Sequence, residues 1–305
     1  MAFDSDLADL ADRTKRLSST QLTSLSDLEP EDAAELAAAW GEIETNRRFN
    51  IVTELAELAQ DNVELNFDAV YKVALGDEEA AVRAAALTGL FEYEGRDLIP
   101  VLADALRNDP DAGVRRESAV ALGRYALAAE LEQIPRSDGA AVREVLIESA
   151  EDLEEDERVR ARAIEALGAM SGEETENLIE SVYQEDSLWL KVGAVDAMGR
   201  SCNPSWLPLV LQEMESRAPE MRHAAAYAAG EIGEEEAVQH LKRMAVDDPD
   251  KDVQLVAVRA IGEIGGDQAK VALKAILYEG DDSLQEAVEE AMSEIAFNDD
   301  PLQPL

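Results

Sequence analysis

The sequence predicts an all-α protein, a right-handed α-solenoid (superhelix) of about eight helical hairpin repeats. Three observations predict it. Apolar anchors at Ile51, Val82, Val114, Val159, Leu190, Met221, Val253 and Leu284 are separated by 31, 32, 45, 31, 31, 32 and 31 residues. A period of this size held over eight units marks a stacked repeat. Small or apolar residues then recur at anchor +4, +7, +8 and +11, the spacing of one helix face. Finally, 46% of the chain is hydrophobic but only 5% aromatic, so Ala, Leu, Val and Ile must build the core.

The elements follow in order. Residues 1–17 read as a short amphipathic helix with Leu7, Leu10 and Leu17 as its apolar positions, and "SSTQLTSLS" (18–26) as a link. A helix then starts with Pro30 in its first turn and carries Trp40 near its end, where the indole is expected to seal the first repeat. Residues 1–42 are therefore expected to cap a solenoid spanning 43–297. The proline-containing tail "FNDDPLQPL", with 298–305 outside the solenoid, is expected to lack regular structure.

Within a repeat, the helix start signal lies three residues before the anchor: Asp111, Asp156, Ser187, Asp250 and Asp281. Each side chain can accept from the free N–H groups of the first turn, a contribution of about 1 kcal/mol. For Val159 the face consists of Ala163, Ala166, Leu167 and Met170; for Val253 it is Ala257, Ala260, Ile261 and Ile264. Glycine stands at anchor +9 in five units, as Gly123, Gly168, Gly199, Gly230 and Gly262. Glycine inside a helix costs about 1 kcal/mol against alanine, so close contact between helices is expected there. A second helix follows in stretches such as 97–109, 204–216 and 268–280. One hairpin cannot bury its apolar face alone, and stacking supplies the core.

The long interval after Val114 holds an insertion within 126–158. Ala126 to Glu132 is read as prolonging a first helix, "IPRSDG" as breaking it, and Ala140 to Ala150 as the second helix. The run "EDLEEDE" (151–157) reads most simply as a solvated turn, with an acidic docking site as the alternative.

Charges also repeat. Arg83, Arg115, Arg160, Lys191 and Arg222 stand at anchor +1, followed by Gln254 and Gln285. Carboxylates stand at anchor −5: Asp77, Asp109, Glu154, Glu185, Asp248 and Glu279. Stacking brings the two series together as a ladder of pairs along the inter-repeat turns, with register as its expected use.

The pattern "D-P-D-x-x-V-R…A…A-L-G-x-x-G" resembles the HEAT-like repeats of the phycobilisome-lyase type, most closely in the units at Val114, Val159, Met221 and Val253. The resemblance covers residues 43 to 297, with the units at Ile51 and Leu284 degenerate. It implies an armadillo-type α-solenoid that acts by scaffolding and binding partners. Deoxyhypusine hydroxylase, an enzymatic relative, holds its di-iron centre with His-Glu dipeptides. Here His223 precedes Ala224 and His240 precedes Leu241, so that reading fails. No motif identifies the bilin groove a phycobilin lyase needs.

With 67 acidic and 27 basic residues, only 7 of them lysine, the chain carries a net charge of −40 and a pI near 4.2. Strong apolar periodicity argues for a folded protein with an acidic coat rather than disorder. Self-repulsion on this scale calls for counterions, as in halophile-like proteins whose folding depends on salt. The same charge repels phosphate backbones, so no nucleic-acid partner is expected. The chain has no apolar run long enough for a membrane span, no apolar leader segment and a single cysteine, Cys202. A cytoplasmic monomer is therefore expected.

The residues offer little chemistry. No His-x-x-x-His, Cys-x-x-Cys, phosphate-binding glycine loop or Gly-x-Ser-x-Gly occurs, so no catalytic residue, metal or cofactor is expected. The function expected is a non-catalytic scaffold or adaptor for a protein partner. The alternative is an enzyme or enzyme subunit related to bilin lyases or other HEAT-like repeat enzymes. The interaction surface is expected on the second helices, with Arg124 and Arg200, both at anchor +10, joined by Tyr183, Trp189 and Trp206 as partner contacts.

Overall fold

Helix follows helix from Ser19 onward, joined by short turns, and no strand occurs among the described residues. The computed structural model describes residues 7, 10–12, 14–279 and 282–299. The chain forms two compact units, 1–125 and 126–305.

The first unit contains α1 (Ser19–Thr23), α2 (Pro30–Ala39), α3 (Thr45–Asp61), α4 (Asp68–Ala74), α5 (Ala80–Gly89) and α6 (Leu98–Asn108). Leu7 and Leu10 are buried, while residues 16–18 are not helical; much of the helix expected over 1–17 lies outside the described residues. The link expected over 18–26 contains α1. Its cause is a capping box: Gln21 N–H donates to Ser18 Oγ, and Ser18 N–H donates to Gln21 Oε1. Trp40 is buried, and its Nε1 donates to Asp77 at 2.7 Å. Asp77 also accepts from Arg48 Nη2 at 3.1 Å, and both side chains are buried.

Helix α7 (Ala112–Glu130) runs through the division between the units. The second unit then holds α8 (Arg136–Glu151), α9 (Glu157–Leu167), α10 (Glu173–Tyr183), α11 (Leu188–Arg200) and α12 (Leu207–Glu213). It continues with α13 (Pro219–Ile232), α14 (Val238–Asp247), α15 (Lys251–Ile264), α16 (Gly266–Glu279) and α17 (Gln285–Asp299). Two expected boundaries move. Helix α8 starts inside "IPRSDG", because Gly139 packs against Ala129: a methyl group there would lie 2.8 Å from the Ala129 Cβ. The helix at the C-terminal end continues through Asp299, where "FND" had been expected to be irregular. Leu284 ends a 3₁₀ turn, and α17 follows it directly.

In the second unit the first helices of successive repeats stack through their smallest residues. The glycine at +9 of one repeat meets the alanine at +7 of the next. A methyl group at Gly168 would lie 2.6 Å from the Ala197 Cα, and one at Gly199 would lie 2.6 Å from the Ala228 Cα. Gly230 and Gly262 approach Ala260 and Ala291 in the same way.

The turns carry the expected caps and ladder. Asp250 Oδ1 accepts from the N–H groups of Asp252 and Val253, Asp111 from Gly113 and Val114, Asp156 from Arg158, and Ser187 from Leu190. Asp281 lies outside the described residues. Arg83 clamps Asp109 with two bonds of 2.7 and 2.8 Å, and Arg222 clamps Asp248 with two of 2.7 Å. Arg160 clamps Glu185 at 2.7 and 3.1 Å. Each clamp joins anchor +1 of one repeat to anchor −5 of the next. Burial opposes ionisation of Asp109, but the bonds from Arg83 and from the Asp111 N–H outweigh it and hold this carboxyl below the usual range.

Candidate functional site

Close stacking of α9, α11, α13 and α15 brings together side chains that project from their shared outer face. At anchor +6 the four helices present Glu165, Asp196, Tyr227 and Arg259; Arg162 and Arg200 flank them. These residues line a cavity of about 750 Å³, within the range of ligand-binding clefts. Val192, Ala224 and Val256 form an apolar part of its wall. Trp189, 39% exposed, lines it as well, with the Arg158 guanidinium 4.5 Å from the indole centroid.

Inside the cavity Glu165 is the hub. Arg200 Nη2 donates to its Oε1 at 2.7 Å, and Arg162 Nη1 donates to its Oε2. Asp196, one turn before Arg200 on α11, meets no hydrogen-bond donor among the described residues. Its surface is partly accessible, yet the surrounding protein displaces most of its water. That desolvation, reinforced by the negative charge of Glu165 and only partly offset by Arg162 and Arg200, pushes its carboxyl up to about 7. Burial, together with the nearby Glu231, also pushes the Tyr227 hydroxyl up.

The Asp196 shift has a consequence for stability. Between the ordinary carboxylate value and about 7 the folded protein holds a proton that the unfolded chain has released. Stability therefore falls as pH rises through this window and levels off above it. Asp196→Asn removes the effect. The variant should match the parent near pH 4 and exceed it at pH 8 by an amount on the order of a few kcal/mol at most, since the group keeps partial access to solvent. Urea unfolding at constant salt across this range checks it; parallel pH profiles for the two proteins would count against the assignment.

The five residues expected to contact a partner do not form one cluster. Trp189 and Arg200 line the cavity. Arg200 is held by Glu165 through Nη2, while its Nε is buried without an acceptor. Tyr183 donates its hydroxyl to Glu213 at 2.5 Å; burial and that bond push it up to about 12. Trp206 ends a 3₁₀ turn, half-buried, its indole N–H enclosed without an acceptor. Arg124 belongs to the first unit, where it donates to the Phe91 carbonyl at 3.0 Å and lies over the Tyr125 ring. Contrary to expectation, this cavity is walled by first helices rather than second ones. The small residues at +7 and +9 lie on the first helices, so these are the ones that approach closely enough for their outer side chains to converge.

Sequence reading missed Glu165, Asp196, Tyr227 and Arg259. The available signal was the unbroken run of polar or charged residues at anchor +6 in four consecutive units. Of the two histidines, His223 lines the cavity and His240 lies on α14. Burial, with Glu231 nearby, pushes the Cys202 thiol up, which lowers its nucleophilic fraction at neutral pH.

Stacked hairpins, close-packed first helices and clamped turns define an α-solenoid of tandem helical repeats. A family model for HEAT repeats matches residues 67–135 and 175–262, just over half of the sequence. This chain belongs to the HEAT-repeat family.

Among solved structures, the chain resembles the complex of CpcE and CpcF of phycocyanin lyase from Nostoc sp. PCC7120. The two are 17% identical with a TM-score of 0.56, and the match covers 87% of this chain and 95% of that one. It also resembles yeast importin-beta (Kap95p), at 16% identity and a TM-score of 0.54, over 96% of this chain and 46% of that one. Likeness at these identities establishes the fold. No curated protein sequence matches. No helix among the described residues is long and apolar enough to cross a membrane.

Proposed function

We propose that this chain is a scaffold or adaptor that holds a protein partner, and that the partner seats on the cavity formed by α9, α11, α13 and α15. The observation that carries this reading is the cavity itself. It combines an apolar wall, a half-exposed tryptophan and charged groups that converge from four successive repeats. Aromatic anchors beside polar groups in a recess are the usual energetic centre of a protein interface. The phycocyanin lyase structure with the same fold contains two different chains in complex, an arrangement in keeping with the proposal. Net charge of −40 limits long-range attraction to cationic partners, and in concentrated salt that steering is screened. Short-range contacts in the recess then supply the affinity.

Affinity capture from the native cytosol, followed by cross-linking and peptide mapping, tests the reading. Cross-links to the dominant partner should fall on α9, α11, α13 and α15, and Trp189→Ala should reduce capture about tenfold, as expected for one interface anchor, with helicity unchanged. Cross-links confined to other helices, or full capture by Trp189→Ala, would refute this seat for the partner.

A further inference from the structure

The cavity of the second unit has a charge imbalance and a polarity gradient that specify a ligand chemistry. Five carboxylates line it, against three guanidinium groups. Two of those cations, Arg162 and Arg200, are already taken by Glu165. Among the acids, Asp250 is occupied in capping α15, and Asp196, largely desolvated though partly accessible, meets no donor among the described residues. An anion entering here would meet uncompensated carboxylates and only one unpaired arginine, Arg259. A cation would find a carboxyl that accepts no hydrogen bond from the described residues and whose charge Arg162 and Arg200 offset only in part. The apolar wall of Val192, Ala224 and Val256 extends beside that acceptor, so the entering cation needs an apolar stem as well as a charged head.

We infer that the cavity is a receptor for a long basic side chain, lysine or arginine, projecting from the partner's surface, with the alkyl stem against Val192, Ala224 and Val256 and the cationic head on Asp196. This inference rests on the partner-binding reading above and gives the partner's contact its chemistry. Burial makes an unpaired carboxylate costly, and an arriving cation offsets that cost through a charge-assisted hydrogen bond.

Binding is therefore linked to ionisation of Asp196 and tightens as pH rises from 6 to 8, with release of a proton at the lower end. The charged groups around this carboxyl are Arg162 and Glu165 from α9 and Arg200 from α11. His223 and Glu220 on α13 and Asp252 and Arg259 on α15 line the same cavity. His223→Gln removes the imidazole from the cavity wall, and the pH dependence should persist in that variant.

The probes are Nα-acetyl-arginine amide and Nα-acetyl-lysine amide, followed through the Trp189 indole N–H resonance of the whole chain at constant salt. Both should produce a saturable shift. Nα-acetyl-citrulline amide, which keeps the shape of arginine without its charge, should bind about tenfold more weakly, the worth of one charge-assisted contact. Asp196→Asn should weaken the arginine probe to a similar degree, and Arg259→Ala, which removes a like charge, should tighten it. Equal binding of the citrulline probe, unchanged binding by Asp196→Asn, or preference for Nα-acetyl-aspartate amide would each overturn the inference. If partner capture survives Asp196→Asn but not Trp189→Ala, the basic side chain is refuted and the partner seat stands. If the cationic probes bind but no partner cross-links to these helices, the reverse holds.

Discussion

Gly199→Ala is expected to cost about 2–4 kcal/mol of stability, although alanine is the better helix former by about 1 kcal/mol. The added methyl carbon would lie 2.6 Å from the Ala228 Cα and 2.9 Å from its Cβ. Those atoms are fixed in α13, so relief requires α11 and α13 to move apart, and every later repeat of the stack must follow. Gly168→Ala should behave alike, because its methyl group would meet the Ala197 backbone at 2.5 to 2.9 Å. Gly41→Ala is the control: nothing lies within 4 Å of the added carbon, and the change should be within about 0.5 kcal/mol. Urea midpoints at fixed salt measure the three, since guanidinium would itself screen a chain of net charge −40. Equal midpoints for Gly199→Ala and Gly41→Ala would show that the first helices are not in contact.

Arg222→Ala is expected to lose about 3 kcal/mol. It leaves Asp248, whose side chain is 5% exposed, without its clamp and also frees the Ser216 carbonyl that Arg222 Nη1 holds at 3.1 Å. Removing one partner of a buried pair costs more than the pair itself contributes, because the remaining charge stays desolvated. The chain contains its own comparison. In the unit at Val253 the equivalent position is Gln254, whose Nε2 donates to the Asp248 carbonyl at 2.9 Å. Arg222→Gln should therefore keep the carbonyl bond, lose only the carboxylate clamp and cost less than Arg222→Ala. Adding Asp248→Asn to Arg222→Gln should recover part of the loss, because the uncompensated charge is gone. A double-mutant cycle with no coupling would reduce the ladder to a surface feature.

Both variants probe features that a one-dimensional pattern reveals. The glycine at +9 and the arginine at +1 recur because neighbouring repeats place the same pair of positions together each time. The resulting contacts, Gly199 on Ala228 and Arg222 on Asp248, could be anticipated from register alone. Helix starts were legible for the same reason: Asp111, Asp156, Ser187 and Asp250 act on N–H groups two or three residues away. Boundaries set by distant contacts were not. Gly139 looked like a breaker and is instead a helical residue pressed against Ala129.

The candidate site was harder to see than the fold. Arg200 and Trp189 were legible as an arginine and an aromatic near a corner between helices, but their neighbours were not. Arg200 turned out to be committed to Glu165, 35 residues earlier. Period, helical faces, caps and turn clamps belong to the sequence, because each arises from spacing along one helix or between adjacent repeats. The tertiary structure decided which face of the stack forms a recess, which acid stays unpaired and which arginine is occupied. Residues at +6 are ordinary surface positions on an isolated hairpin. They become the walls of a cavity only when glycine and alanine let successive first helices approach to backbone contact.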